Sequence, residues 1–107
     1  MKNFLYPTTL SEIIEHSVKE PVLVFKHSLT CLISAGAYIR MNHGIEKKLI
    51  RYPVYIVIVQ EERQLSNEIE QVFGIIHESP QIILIKNKQA IYDASHSDIQ
   101  VNNIPLK

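Results

Sequence analysis

Residues 54–59 read Val-Tyr-Ile-Val-Ile-Val, an apolar run with no polar residue at every second place. A strand with one face in water alternates; a short run that does not alternate is covered on both faces. Residues 22–27 (Val-Leu-Val-Phe-Lys-His), apolar and rich in β-branched or aromatic types, read as another buried strand, and Ile82-Ile83-Leu84-Ile85, after Pro80, as a further strand. A sheet of such strands needs helices on both of its faces, so the chain is predicted to be α/β.

The helices lie between these runs. Thr9-Leu10-Ser11-Glu12 fits a capping box, and Leu10, Ile13, Ile14 and Val18 repeat at helical spacing until Pro21 ends the segment. A second helix is predicted from Cys31, carrying Ala37, Tyr38, Met41, Ile45 and Leu49 toward a core, with Asn42-His43-Gly44 expected to bend or interrupt it. Leu65, Ile69, Val72 and Phe73 mark a third helix, stopped by Gly74. Asn87-Lys88 predicts a hairpin turn into Ala90-Ile91-Tyr92. Residues 98–107 hold Ile99, Val101, Ile104 and Leu106, and Pro105 leaves room for at most a short terminal helix. The first two strands are joined through a helix and are predicted to be parallel, with a right-handed crossover; the last two form an antiparallel hairpin. This order predicts one thioredoxin-like domain over residues 1–107: a four-stranded mixed sheet, helices on both faces and a short C-terminal helix.

Composition narrows the function. The chain has 107 residues, of which 46% are hydrophobic, enough for one core and too apolar for disorder. Its 11 basic and 11 acidic residues cancel, which argues against nucleic acid or an anionic membrane as partner. Lys47-Lys48, beside Glu46, reads as a solvated face. The stretch Met1 to Pro7 lacks the apolar run of a signal peptide, and residues 54–59 are too few to span a bilayer. A cytoplasmic protein is therefore expected, in a compartment that suits a free thiol.

That thiol is Cys31, the one cysteine. A lone cysteine is commonly a small buried hydrophobe, but position argues otherwise here. It follows a strand and a short loop, His27-Ser28-Leu29-Thr30, and opens a helix as Cys31-Leu32-Ile33-Ser34. Unpaired N–H groups and a partial positive charge at a helix start favour thiolate, and cysteines so placed titrate at ~3.5–7.5 against about 8.5 when free. Lys26 and His27 are close enough in sequence to add positive potential, and His27 is a candidate base. Ser34 stands where a dithiol enzyme has its second cysteine. Two roles are open to it: a hydrogen bond to the thiolate, or a bond to the carbonyl one turn earlier. Under either, it cannot resolve a disulfide.

Pro80, in His77-Glu78-Ser79-Pro80-Gln81, precedes a strand. In a thioredoxin-like domain the proline at this place follows a cis bond and faces the active cysteine, so Ser79 and Pro80, with His77 nearby, become candidate substrate contacts. The five histidines form no His-Glu-x-x-His pattern and Cys31 lacks a cysteine partner, so no metal site is expected; the three glycines are isolated, so neither is a phosphate loop.

Lys26-His27-Ser28, Thr30-Cys31-x-Ile33-Ser34-Ala35, Ala37-Tyr38, Ile58-Val59-Gln60-Glu61-x-Arg63, Ser66-Asn67, His77-Glu78-Ser79-Pro80-Gln81 and His96-x-Asp98-Ile99 together resemble the monothiol bacilliredoxins of the YtxJ-like type, over nearly the whole chain. The resemblance implies a thiol–disulfide oxidoreductase that removes bacillithiol from S-thiolated proteins. Cys31 would attack, supported by Thr30, Leu32, Ile33 and Ser34. It further implies no bound cofactor, a low-molecular-weight thiol (bacillithiol by resemblance) as cosubstrate, and a second thiol or a reductase system that restores the enzyme. The chain departs from the family motif at Leu32, where proline usually follows the cysteine. Leucine keeps an extra N–H at the helix start and sets an apolar side chain beside the nucleophile. Two other readings stand beside this one: a non-catalytic thioredoxin-fold binding module or thiol-capped redox sensor, and a glutaredoxin-like enzyme acting on glutathione.

Overall fold

A computed structural model describes residues 2–105. The elements in chain order are α1 (Leu10–Lys19), β1 (Val22–His27), α2 (Leu32–Glu46), β2 (Val54–Ile58), α3 (Arg63–Phe73), β3 (Gln81–Lys86) and β4 (Gln89–Ser95), followed by two 3₁₀ turns, His96–Asp98 and Val101–Asn103. The sheet order is β2-β1-β3-β4. β1 is parallel to β2 and antiparallel to β3, and β3 is antiparallel to β4. This is the thioredoxin topology. The short C-terminal helix takes the form of two 3₁₀ turns; Leu106 lies outside the described residues.

Both central strands, β1 and β3, are covered on both faces. Leu23, Phe25, Ile56, Ile82 and Leu84 pack with Ala37 and Met41 of α2 and with Ile99 and Ile104 of the C-terminal segment. On the other face Val22, Val24, Val57, Ile83 and Ile85 pack with Ile13 of α1 and Leu65 and Ile69 of α3. β4, an edge strand, alternates in exposure as a strand with a solvated face should. Asn87 and Lys88 turn the β3–β4 hairpin with positive φ (49° and 69°). Leu5 adds an isolated parallel bridge to Tyr55 on the free edge of β2, which the sequence did not announce.

The ends of α1 and α3 follow their capping signals. Thr9 Oγ1 accepts the Glu12 N–H, and the Glu12 carboxylate returns to the Thr8 N–H. Gly74 closes α3 in the left-handed region. α2 differs from expectation: it runs unbroken through Asn42-His43-Gly44 to Glu46. A Cβ on Gly44 would come within 2.9 Å of Ile50 Cδ1 and Val101 Cγ2, so the glycine serves close packing in an intact helix. Leu49, beyond the helix end, is exposed, and Ile50 takes the buried place. Lys47 and Lys48 are solvated, as read.

Candidate active site

Strand β1 delivers the chain to the C-terminal end of the parallel β1–β2 pair, and α2 carries it back. Ser28, Leu29 and Thr30 make the connection, and Cys31 is the N-cap of α2 with extended backbone (φ −106°, ψ 125°). Its carbonyl accepts the first helical hydrogen bond from Ala35 N–H at 3.0 Å. No side chain caps this helix start, and its first turn holds no acidic residue. The N–H groups of that turn therefore stay available to a negative charge. Cys31 is partly exposed, Leu32 is 90% exposed and Ile33 also faces solvent, so a substrate can reach the sulfur.

The Ser79–Pro80 peptide is cis, and Pro80 is buried. Antiparallel register places it. Lys26 pairs with Gln81, and the next residues outward are His27 and Pro80. The proline thus meets the strand end from which the Cys31 loop departs. The Pro80 carbonyl accepts the His96 N–H at 3.0 Å, which ties this turn to the end of β4.

Ser34 has partners other than the two considered from sequence. It is fully buried, accepts the Ser28 N–H at 2.9 Å and lies 2.7 Å from His27 Nδ1. Its hydroxyl thus joins the α2 start to the end of β1. His27 is buried between Phe25 and Tyr38, with ring centroids 5.3 and 5.4 Å away, and burial lowers its pKa, which keeps the ring neutral. Its Nδ1 is taken by Ser34, which ties the end of β1 to the first turn of α2.

Lys26 points the other way. Side chains alternate along a strand, so Lys26 shares the α3 face with Val22 and Val24 while His27 shares the α2 face. Lys26 is fully buried, and its ammonium donates to the Ser66 carbonyl and to His77 Nδ1, both at 3.1 Å. The sequence places Lys26 near Cys31; the fold directs its charge under the Pro80 loop. His77 is drawn to the same cluster: Ser66 Oγ lies 3.3 Å from Nδ1, and the His77 backbone N–H donates to Glu70 Oε2 at 2.6 Å. Burial, then the Lys26 charge, lowers its pKa, against the pull of Glu70 and Glu78.

Gln60 acquires a role the sequence did not reveal. It follows β2 and clamps the Cys31 loop: Oε1 accepts the Leu29 N–H at 3.2 Å, and Nε2 donates to Ser28 Oγ at 2.8 Å and Thr30 Oγ1 at 3.3 Å. A polar residue directly after a buried strand was the available signal, but only the fold shows which loop it meets. Among the described residues no group of three metal-ligating side chains comes together. No helix among them is long and apolar enough to cross a membrane.

Comparison with known proteins agrees with this architecture. A solved structure assigned as an oxidoreductase with a thioredoxin fold superposes with a TM-score of 0.83 at 31% identity, covering 96% of this chain and 91% of that one. Thioredoxin of Malassezia sympodialis (TM-score 0.72, 15% identity, 90% and 81% covered) and mitochondrial thioredoxin 3 of Saccharomyces cerevisiae (0.72, 14%, 92% and 88%) share the fold. Fold and site together define a thiol oxidoreductase of the thioredoxin class. Within it the assignment is narrower: the model of the monothiol bacilliredoxin BrxC family matches residues 3–104, and the chain belongs to that family.

Proposed function

We propose that this protein removes bacillithiol, or a similar low-molecular-weight thiol, from mixed disulfides on protein cysteines, with Cys31 as the only redox sulfur. The observation that carries this reading is the pairing of a solvent-reachable Cys31 at an uncapped helix start with a Ser34 already committed to His27 and Ser28. The site holds one sulfur and, where a dithiol enzyme has its second, a structural hydroxyl.

The reaction is two thiol–disulfide exchanges. The Cys31 thiolate attacks the carrier-thiol sulfur of the substrate disulfide. A Cys31–carrier disulfide forms and the protein cysteine leaves as thiolate. A second thiol then attacks the carrier sulfur; its own mixed disulfide departs and the Cys31 thiolate returns. Each exchange makes one S–S bond and breaks one. The N–H groups of the α2 start face the negative sulfur, and the segment at Ser79 and Pro80 lies against the substrate chain. Localisation in the cytoplasm, where thiols are kept reduced, follows from the same reading.

The test is release of free model protein from its bacillithiol and glutathione mixed disulfides, followed in parallel for wild type and Cys31→Ser. The account expects release by wild type, faster for the bacillithiol adduct, and none by the variant. Release by Cys31→Ser would overturn it. Preference for the glutathione adduct would favour the glutaredoxin-like reading.

A further inference from the structure

The loop between α3 and β3 brings Ser79 and Pro80 to the active edge, yet residues 75–80 form no helix or strand. Side chains from beneath hold it. Gln81 Nε2 donates to the Ile76 carbonyl at 3.0 Å, Glu70 accepts the His77 N–H at 2.6 Å, and the His77 ring rests on Lys26 and Ser66. The outer end is fastened by His96 N–H to the Pro80 carbonyl.

Lys26 is the costly member of this set. It is fully buried near the end of β1, on a sheet face otherwise lined by Val22, Val24, Ile83 and Ile85. Burial lowers the pKa of its ammonium, and the charge of Glu70 does not cancel that effect. An apolar side chain of similar length would avoid this desolvation. The lysine is therefore poorly explained by stability. What it does that an apolar residue cannot is donate at once to the Ser66 carbonyl on α3 and to the His77 ring in the loop. An ammonium only donates, so with Lys26 charged His77 Nδ1 is the acceptor and the ring proton sits on Nε2. The other charged groups acting on this ring are Glu70 and Arg63 of α3 and Glu78 of the loop.

We propose that Lys26 is a positioning residue: acting through the His77 ring, it holds the segment that presents Ser79 and Pro80 to the disulfide substrate. This rests on the function proposed above. It assigns Lys26 no contact with the reacting sulfurs; its effect reaches them through the register of the loop.

The experiment compares wild type, Lys26→Met, His77→Ala and the double variant, using a bacillithiol-modified and a glutathione-modified model protein. Three readouts separate positioning from general damage. Alkylation of Cys31 by iodoacetamide, which needs no loop, is expected to stay within about twofold of wild type in each protein. Exchange with the modified proteins is expected to fall about 10- to 100-fold in kcat/KM, mainly through KM. The His77 ring, followed by nitrogen-detected NMR, is expected to lose its fixed Nε2–H tautomer in Lys26→Met and to titrate at higher pH, since both its donor and the neighbouring cation are gone. Because Lys26 acts through His77, the double variant should be no slower than His77→Ala alone. His77→Ala changes a half-buried loop position, so the comparison survives if Lys26→Met does not fold. Wild-type exchange rates in Lys26→Met or in His77→Ala, or additive losses in the double variant, would overturn the inference and leave the proposed function intact. A wild type that is alkylated at Cys31 but exchanges with neither modified protein would overturn both.

Discussion

Replacing Ser34 by alanine removes a hydroxyl that two groups depend on. Ser34 is fully buried and His27 only 5% exposed, so no water replaces the oxygen at His27 Nδ1. That nitrogen loses a 2.7 Å partner, and the Ser28 N–H loses a 2.9 Å one. Ser28 is only partly buried, so its N–H recovers water and the loss there is about 1 kcal/mol; a buried group left unpaired costs about 1–3 kcal/mol. The sum is about 2–4 kcal/mol, a large part of the roughly 5–15 kcal/mol that holds a domain of this size. The corresponding fall in Tm is about 10–20 °C. Urea unfolding followed by far-ultraviolet circular dichroism measures it. The midpoint should drop with the slope unchanged, because the surface exposed on unfolding is the same. A loss below about 0.5 kcal/mol would refute the reasoning, since it would mean the site relaxes or admits water at negligible cost.

Three further outcomes follow from the same contacts. His27 and His77 both have folded pKa values below the ordinary 6.5, so between those values and 6.5 the unfolded chain binds protons the folded chain refuses. Stability should therefore fall as pH drops below 6.5 and be unaffected by these two rings above it, and urea midpoints that rose on acidification through this window would contradict the sign. Gly44→Ala sets a Cβ 2.9 Å from Ile50 Cδ1 and Val101 Cγ2 and should destabilise by about 1–3 kcal/mol in the same unfolding assay, although alanine is the better helix former. Ser34→Cys places a second thiol one helical turn from Cys31; mass spectrometry after mild oxidation should show an internal disulfide, and a protein that stays in the dithiol form would mean the two positions do not face each other.

Much of this architecture could be read from residue order because the signals were local. Residues 54–59 announce a strand buried on both faces, Ile82 to Ile85 a further strand, and the turn at Asn87-Lys88 fixes the direction of the last pair. A helix starting at Cys31 also follows from a strand, a short loop and a helical pattern in sequence, and the structure makes Cys31 its N-cap. The missed features depend on what lies across the fold. Asn42-His43-Gly44 looks like a helix breaker until Ile50 and Val101 show why the glycine is small. Sequence distance groups Lys26 with Cys31, although the two-residue period of a strand sends it to the face opposite His27. Ser34 finds His27 and Ser28 only because β1 ends beside the first turn of α2. Gln60 and Glu70 carry no chemical motif, and their roles arise from the loops the sheet topology places above them.

The central claim is that Cys31 takes the carrier thiol onto itself. The most direct measurement is intact-mass spectrometry of the reduced protein after incubation with a bacillithiol-modified model protein, with Cys31→Ser alongside. The account predicts that the wild type gains the mass of one bacillithiol, mapped to Cys31, while an equal amount of model protein appears free and the variant gains nothing. A wild type that keeps its fold and its alkylatable thiol but gains no mass from the bacillithiol adduct would contradict it.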